Sequence, residues 1–268
     1  MFDNDNSLFV VGTKISTNDY STTTGVYSET PLGGLEGDNY IAHMSEDLST
    51  LISATFIGSN SIETPYDIEL FGNEIIVATW VKNGFPLTQN PFDDTLLLGG
   101  STTVFKMTKD LVTLNASTYI DLASATQFMV EDDGHILLFG ATSTSDFPGG
   151  NNPSDPLDEN YNGGSSDFGL VRLNPELTMA VNSAYIGGSD QEINANDLIK
   201  DNEGQIILSG TTRSSDIETT QFGLDRSYNG NVDVILQKIP SNFNQLEVIS
   251  DSIFCNSFED PTGVCSCD

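Results

Sequence analysis

Basic residues are scarce in this chain, nine Lys and Arg against 39 Asp and Glu, so the places they occupy invite a chemical reading. His43, Lys106, Arg172 and Lys238 share one recurring position at a spacing of about 65 residues. A ring of such groups could bind an anionic ligand. In an acidic chain the simpler use is a local ion pair or hydrogen bond within each unit, and that is the expected one. The acids recur as well: Asp38, Asp167 and Asp233 at one position, Asp67 and Asp197 at another. A catalytic acid is needed once, whereas an acid repeated from unit to unit bonds turn amides or caps a strand. Asp19, Asp146 and Asp216 lie in equivalent loops and would ring one face, where cation binding is open to them. A retaining glycosidase needs two carboxyls about 5 Å apart, and the spacing sets no two acids that close.

Other site chemistry is weakly represented. DNDNS from Asp3, EDDG from Glu131 and DNEG from Asp201 have the composition of calcium loops but neither the spacing nor the distal acid of an EF-hand. Hairpin-turn chemistry accounts for them. His43 and His135 lack the accompanying ligands of a zinc site, and His135, which follows a turn glycine, is expected to be exposed. No G-x-S-x-G elbow or phosphate-cradling loop occurs, and GGSSDFG near Gly163 reads as a turn. No cofactor is expected; calcium is the ion that carboxylates and carbonyls would select. If a binding surface exists, it is expected where repetition fails, at Trp80, Lys82, Phe85, Asp93 and Asp94. Trp80 could stack on a sugar ring, although a lone aromatic at a strand end more often packs.

The elements that position these residues follow from the repetition itself. Glycine-turn strands end at Thr13, Trp80, Thr142 and Thr211, with Gly12, Ala78, Gly140 and Gly210 aligned. A second anchor opens DNYIAHM at Asp38, STTVFKM at Ser101, DFGLVRL at Asp167 and DVILQKI at Asp233. Each unit reads as four strands: YDIELF, TQFMVE or NDLIK first, then a turn at Gly72, Gly134 or Gly204, the glycine-turn strand, a long polar loop, and two more strands. The third strand is apolar on both sides, with Ile41, Val104, Leu170 and Leu236 on one face and Met44, Met107, Leu173 and Ile239 on the other. Such strands must be covered twice. Repeated four-stranded antiparallel units stacked face to face make a β-propeller, so the fold expected is all-β with four four-stranded blades. The repeats run approximately 1–70, 71–131, 132–200 and 201–250, followed by a tail at 251–268.

The net charge of −30 excludes nucleic acid as a natural partner, since phosphate binding rests on basic residues. No run is long and apolar enough for a membrane span or a signal peptide.

The D-x-x-G turn, the strand end at Gly140 to Thr142, S-x-D-F-P at Ser145 to Pro148, Y-x-G-G at Tyr161 to Gly164, D-x-x-V-x-R-L at Asp167 to Leu173 and S-x-Y-x-G-G at Ser183 to Gly188 together resemble the bacterial SBBP-type β-propeller repeat. The resemblance extends from about Asp3 to Ser250. It implies an exported bacterial protein, extracellular or at the cell surface, and brings no defined activity. The second repeat departs from it, with Gly84, Ser101 and Gln127 where acids would stand.

FDNDNSLFVVGT matches the interior of a repeat, so the first repeat lacks its initial strand and the four are expected to form an arc of a larger ring. Alternatively, DSIFCNSF from Asp251 supplies the missing strand. Cys255, Cys265 and Cys267 all lie in the tail, where one bridge and one remaining thiol are expected in an oxidising compartment. The leading functional expectation is a non-enzymatic scaffold or binding module for a protein or glycan partner. The alternatives are a polysaccharide hydrolase or lyase with a site on one propeller face, and a calcium-stabilised adhesion module.

Overall fold

The computed structural model describes residues 1–14, 20–32, 37–97, 99–147, 160–219 and 226–243. Every regular element among them is a β-strand. The first sheet holds β1 (Leu8–Lys14), β2 (Asp38–Met44) and β3 (Leu51–Ile57). The second holds β4 (Glu63–Phe71), β5 (Glu74–Val81), β6 (Ser101–Thr108) and β7 (Leu114–Ile120). The third holds β8 (Ser124–Val130), β9 (Ile136–Thr142), β10 (Asp167–Leu173) and β11 (Ala180–Ile186), and the last β12 (Glu192–Lys200), β13 (Ile206–Thr212) and β14 (Asp233–Ile239). Strands pair in chain order and antiparallel, so each sheet is the meander of a β-propeller blade.

Two blades carry four strands among the described residues and two carry three. In the first blade the chain before β1 pairs with it briefly: Phe2 bridges Leu8, and Phe9 N–H donates to the Met1 carbonyl at 2.9 Å. The turn after it uses Asn6 at φ 64°, where the other blades use Gly72, Gly134 and Gly204 with positive φ. The residues after Phe243, including the closing segment expected from Asp251 and all three cysteines, lie outside the described residues.

Strand register corrects one alignment. Gly12, Gly140 and Gly210 lie opposite Tyr40, Gly169 and Ile235, and the matching partner of Thr103 is Thr79, not Ala78. The glycine position of the second blade is therefore filled by a threonine.

The chain packs as two units. One comprises Met1–Asp121, Val130–His135 and Asn174–Met179; the other comprises Leu122–Met129, Ile136–Leu173 and the described residues of Ala180–Asp268. In the first unit, Phe9, Ile41 and Ile57 pack on Ile75, Val77, Phe105, Met107 and Leu111. In the second, Leu137, Phe139, Phe168 and Leu170 pack on Ile206, Leu208, Ile235, Ile239 and Phe243. Burying each such side chain contributes about 1.5–3 kcal/mol. Every residue of β9 and β10 is buried, as two-faced apolar strands require. Met44 and Leu236 are only half-buried.

The long loops protect strand edges. Thr23 N–H donates to the Ala54 carbonyl, Phe56 N–H donates to the Ser28 carbonyl, and Ser28 N–H donates to Thr55 Oγ1 along β3. In the second blade Thr88 bonds Ser117 and Asp93 bonds Thr118 and Tyr119 along β7 in the same way. Outer edges that would otherwise invite pairing are thereby covered.

Candidate functional site

The recurring aspartates close loops. Asp38, Asp167 and Asp233 each accept a backbone N–H through Oδ2, from Leu32, Asn162 and Asn229, at 2.6 Å in every case. In the second blade Ser101 Oγ accepts the Leu97 N–H at 3.2 Å. The expected turn-bonding role is thus observed at each of the three acids.

Two of these acids meet a second carboxyl, which sequence spacing did not reveal. Glu192, the first residue of β12, is fully buried; its Oε1 accepts from Thr212 Oγ1 at 2.8 Å and Ser214 Oγ at 2.7 Å. Its Oε2 and Asp167 Oδ1 both lie 2.7 Å from where a Cβ on Gly187 would stand. Glu63 repeats the arrangement: Oε1 accepts from Ser59 N–H at 3.1 Å and Ser59 Oγ at 2.5 Å, while Oε2 and Asp38 Oδ1 crowd Gly58. Burial, followed by Asp167, pushes the Glu192 carboxyl up to about 8. Burial and the Asp38 charge push Glu63 up to about 7. A proton held between Glu192 and Asp167 gives both facing oxygens a partner.

A raised acid beside a second carboxyl is also the combination used in general acid catalysis. Here Asp38, Glu63, Asp167 and Glu192 are at most 1% exposed, so no substrate reaches them in the folded blade. The pair is a latch from one blade's third strand to the next blade's first.

The recurring basic residues are paired locally. Lys106 Nζ lies 2.6 Å from Glu74 and donates to the Pro175 carbonyl at 3.0 Å, and Lys238 lies 2.6 Å from Asp201. Arg172 donates to Asn182 Oδ1 and sits over the Phe243 ring at 4.9 Å. His43 stacks on Phe9 with centroids 4.0 Å apart, and its Nε2 is 2.7 Å from Ser7 Oγ.

Ser7, His43 and Asp5 bring together the residue types of a hydrolase triad in the wrong hydrogen-bond order. Ser7 Oγ donates to Asp5 Oδ1 at 2.5 Å, so His43 Nε2 must be the donor to Ser7. A nucleophilic serine needs its proton directed at the imidazole. Burial holds the imidazole below its ordinary range, and Ser7 is 3% exposed. Next to this set, a cleft of about 460 Å³ is lined by Thr23, Thr24, His43, Ile52, Ser53 and Lys109. Lys109 is held by Asp3 at 2.7 Å, whose carboxyl falls below its ordinary value for that reason. Ile52 and Val112 stand exposed at its rim.

The residues singled out around Trp80 do not form one cluster of free groups. The Trp80 ring packs against Gly100, where a Cβ would lie 2.5 Å from the indole. Phe85 is buried against Phe105, with its N–H donated to Tyr119 Oη at 2.8 Å. Asp93 is half-buried and bonds the Thr95 N–H; burial raises its carboxyl. Lys82 and Asp94 are exposed. Asp146 is described and Asp19 lies outside the described residues.

Glu131, Asp133 and His135 do converge, with one ligand atom from each within 4.8 Å of the others. Their alternate spacing across one hairpin turn was the available signal. His135 is also less exposed than expected, its Nδ1 lying 2.9 Å from Asp133 with 27% of the side chain accessible.

No helix among the described residues is long and apolar enough to cross a membrane. No family model matches the chain, and no curated protein matches it either. Among solved structures, the chain is similar to Kuenenia stuttgartiensis hydrazine synthase at 8% identity and a TM-score of 0.33, over 84% of this chain and 69% of that one.

Proposed function

We propose that this chain is a non-enzymatic binding or scaffolding module, exported from the cell, that takes a protein partner in the cleft beside His43. The observation that supports this reading is the lining of that cleft. Exposed Ile52 and Val112 stand beside the hydroxyls of Thr23, Thr24 and Ser53 and a neutralised Lys109–Asp3 pair. A concave surface with apolar rims and a few fixed polar groups recognises an extended peptide through side-chain burial and backbone hydrogen bonds. A glycan partner is less well served, because the one indole is packed on Gly100.

Selection from a displayed random peptide library tests the reading. Sequences enriched on the wild-type chain should lose at least about tenfold in affinity towards an I52D/V112D variant. Equal binding to both proteins, or turnover of a polysaccharide by the wild type, overturns it.

A further inference from the structure

The first blade has one face covered and one face open, and the open face is built from the positions that are buried in the other blades. Leu8, Val10, Met44 and Leu48 of the first blade correspond in register to Ile75, Val77, Met107 and Leu111 of the second. They correspond equally to Ile206, Leu208, Ile239 and Phe243 of the last. Those eight counterparts are all 0% exposed, and all lie in the two cores where one blade meets the blade before it. Val10 is 46% exposed and Leu48 56%. Leu48 keeps the same left-handed turn conformation as its equivalents, φ 58° against 62° at Leu111 and 56° at Phe243. The turn is therefore formed in the geometry used for docking, while Leu48 itself stands exposed.

The opposite end of the repeat carries the complementary surface. In the last blade, residues facing the third blade are buried, while Ile207, Val234 and Leu236 on the other face are half-buried. They match Phe9 and Ile41 of the first blade and Leu137, Phe168 and Leu170 of the third, which are the residues that cover a following blade. Polar contacts follow the same rule. Lys106 reaches the turn carbonyl of Pro175, and Arg172 covers the turn residue Phe243. Lys238 occupies that basic position in the last blade, and exposed Glu46 stands in the first blade where Pro175 stands in the third.

We propose that the open face of the first blade is a docking surface for a second copy of this chain, which presents the outer face of its last blade head to tail. Three observations converge on that occupant: continuity with the blade contacts inside each unit, apolar patches on both terminal faces, and an opposite-charge pair, Lys238 with Glu46, at their edge. Such a contact is heterologous and builds rings or open chains. The net charge of −30 opposes it, so association should strengthen as salt screens the repulsion.

Sedimentation velocity of the full chain over a concentration series in raised salt tests the proposal. The wild type should increase in mean mass with concentration, whereas a V10D/L48E variant with an unchanged melting temperature should remain monomeric. E46K and K238E should each weaken association, and their combination should restore it. Zero-length carboxyl–amine coupling in a mixture of ¹⁵N-labelled and unlabelled chains should join Lys238 to Glu46 between copies. A wild type that stays monomeric throughout, a V10D/L48E variant that associates as strongly, or a cross-link confined to single copies overturns the proposal.

Discussion

Glu192 and Asp167 direct buried carboxyl oxygens at each other over the bare Cα of Gly187. The folded blade therefore keeps a proton that the unfolded chain releases. Glu192 in the unfolded chain titrates near 4.5, and in the fold near 8. Below the lower value both states are protonated and the latch contributes fully. Between the two values only the folded state holds the proton, so stability falls as pH rises. Chemical denaturation across this range should show a shallower decline for Glu192→Gln than for the wild type. The difference should approach one proton, about 1.4 kcal/mol per pH unit. Parallel slopes for the two proteins would remove the shared proton from the account.

The absent side chain at Gly187 is as important as the carboxyls. Gly187→Ala sets a methyl against both acids and should cost about 1–3 kcal/mol by overpacking. In the second blade Asp121 stands at the glycine position and Ser101 at the strand-opening acid. Ser101→Asp alone should destabilise, and Asp121→Gly in the same chain should recover much of the loss. Thermal melts of the four combinations give the coupling, expected at about 0.5–3 kcal/mol. Additive effects would separate the two positions.

Much of this frame was legible because blades repeat. Turn glycines, two-faced third strands and loop-closing aspartates each returned at a fixed spacing, and each has a local physical cause. Pattern alone cannot see cross-strand register, which places Thr79, and not Ala78, opposite Thr103. The Glu63 and Glu192 latches were illegible for another reason. They join the third strand of one blade to the first strand of the next, so their closeness arises from stacking and from no motif. Trp80, Phe85 and Asp93 looked like a site because they broke the pattern, yet they pack against Gly100, Phe105 and β7.

Equivalent leucines in equivalent turns should differ in their contribution to stability. Leu111 is fully buried in the first unit's core, and Leu111→Ala should cost about 2–5 kcal/mol. Leu48→Ala in the dilute monomer should stay within about 0.5 kcal/mol. Urea midpoints of the two variants at low concentration check this, and a large loss at Leu48 would show that its face is covered within the monomer.

Ser7 and His43 offer a direct test of whether proximity has become chemistry. Ser7 gives its proton to Asp5, leaving His43 to donate from Nε2. Burial lowers the His43 titration below its ordinary 6.5, so the folded state binds fewer protons than the unfolded one as the solution is acidified. That contribution is intact above the ordinary value and is lost as pH falls through it. Nitrogen-detected NMR should find the Nε2–H tautomer at neutral pH and a titration midpoint below 6.5. A fluorophosphonate probe should leave Ser7 unmodified, since a buried serine committed to a carboxylate has no base to activate it. Covalent labelling of Ser7 would reverse the hydrogen-bond order and reopen the hydrolase reading.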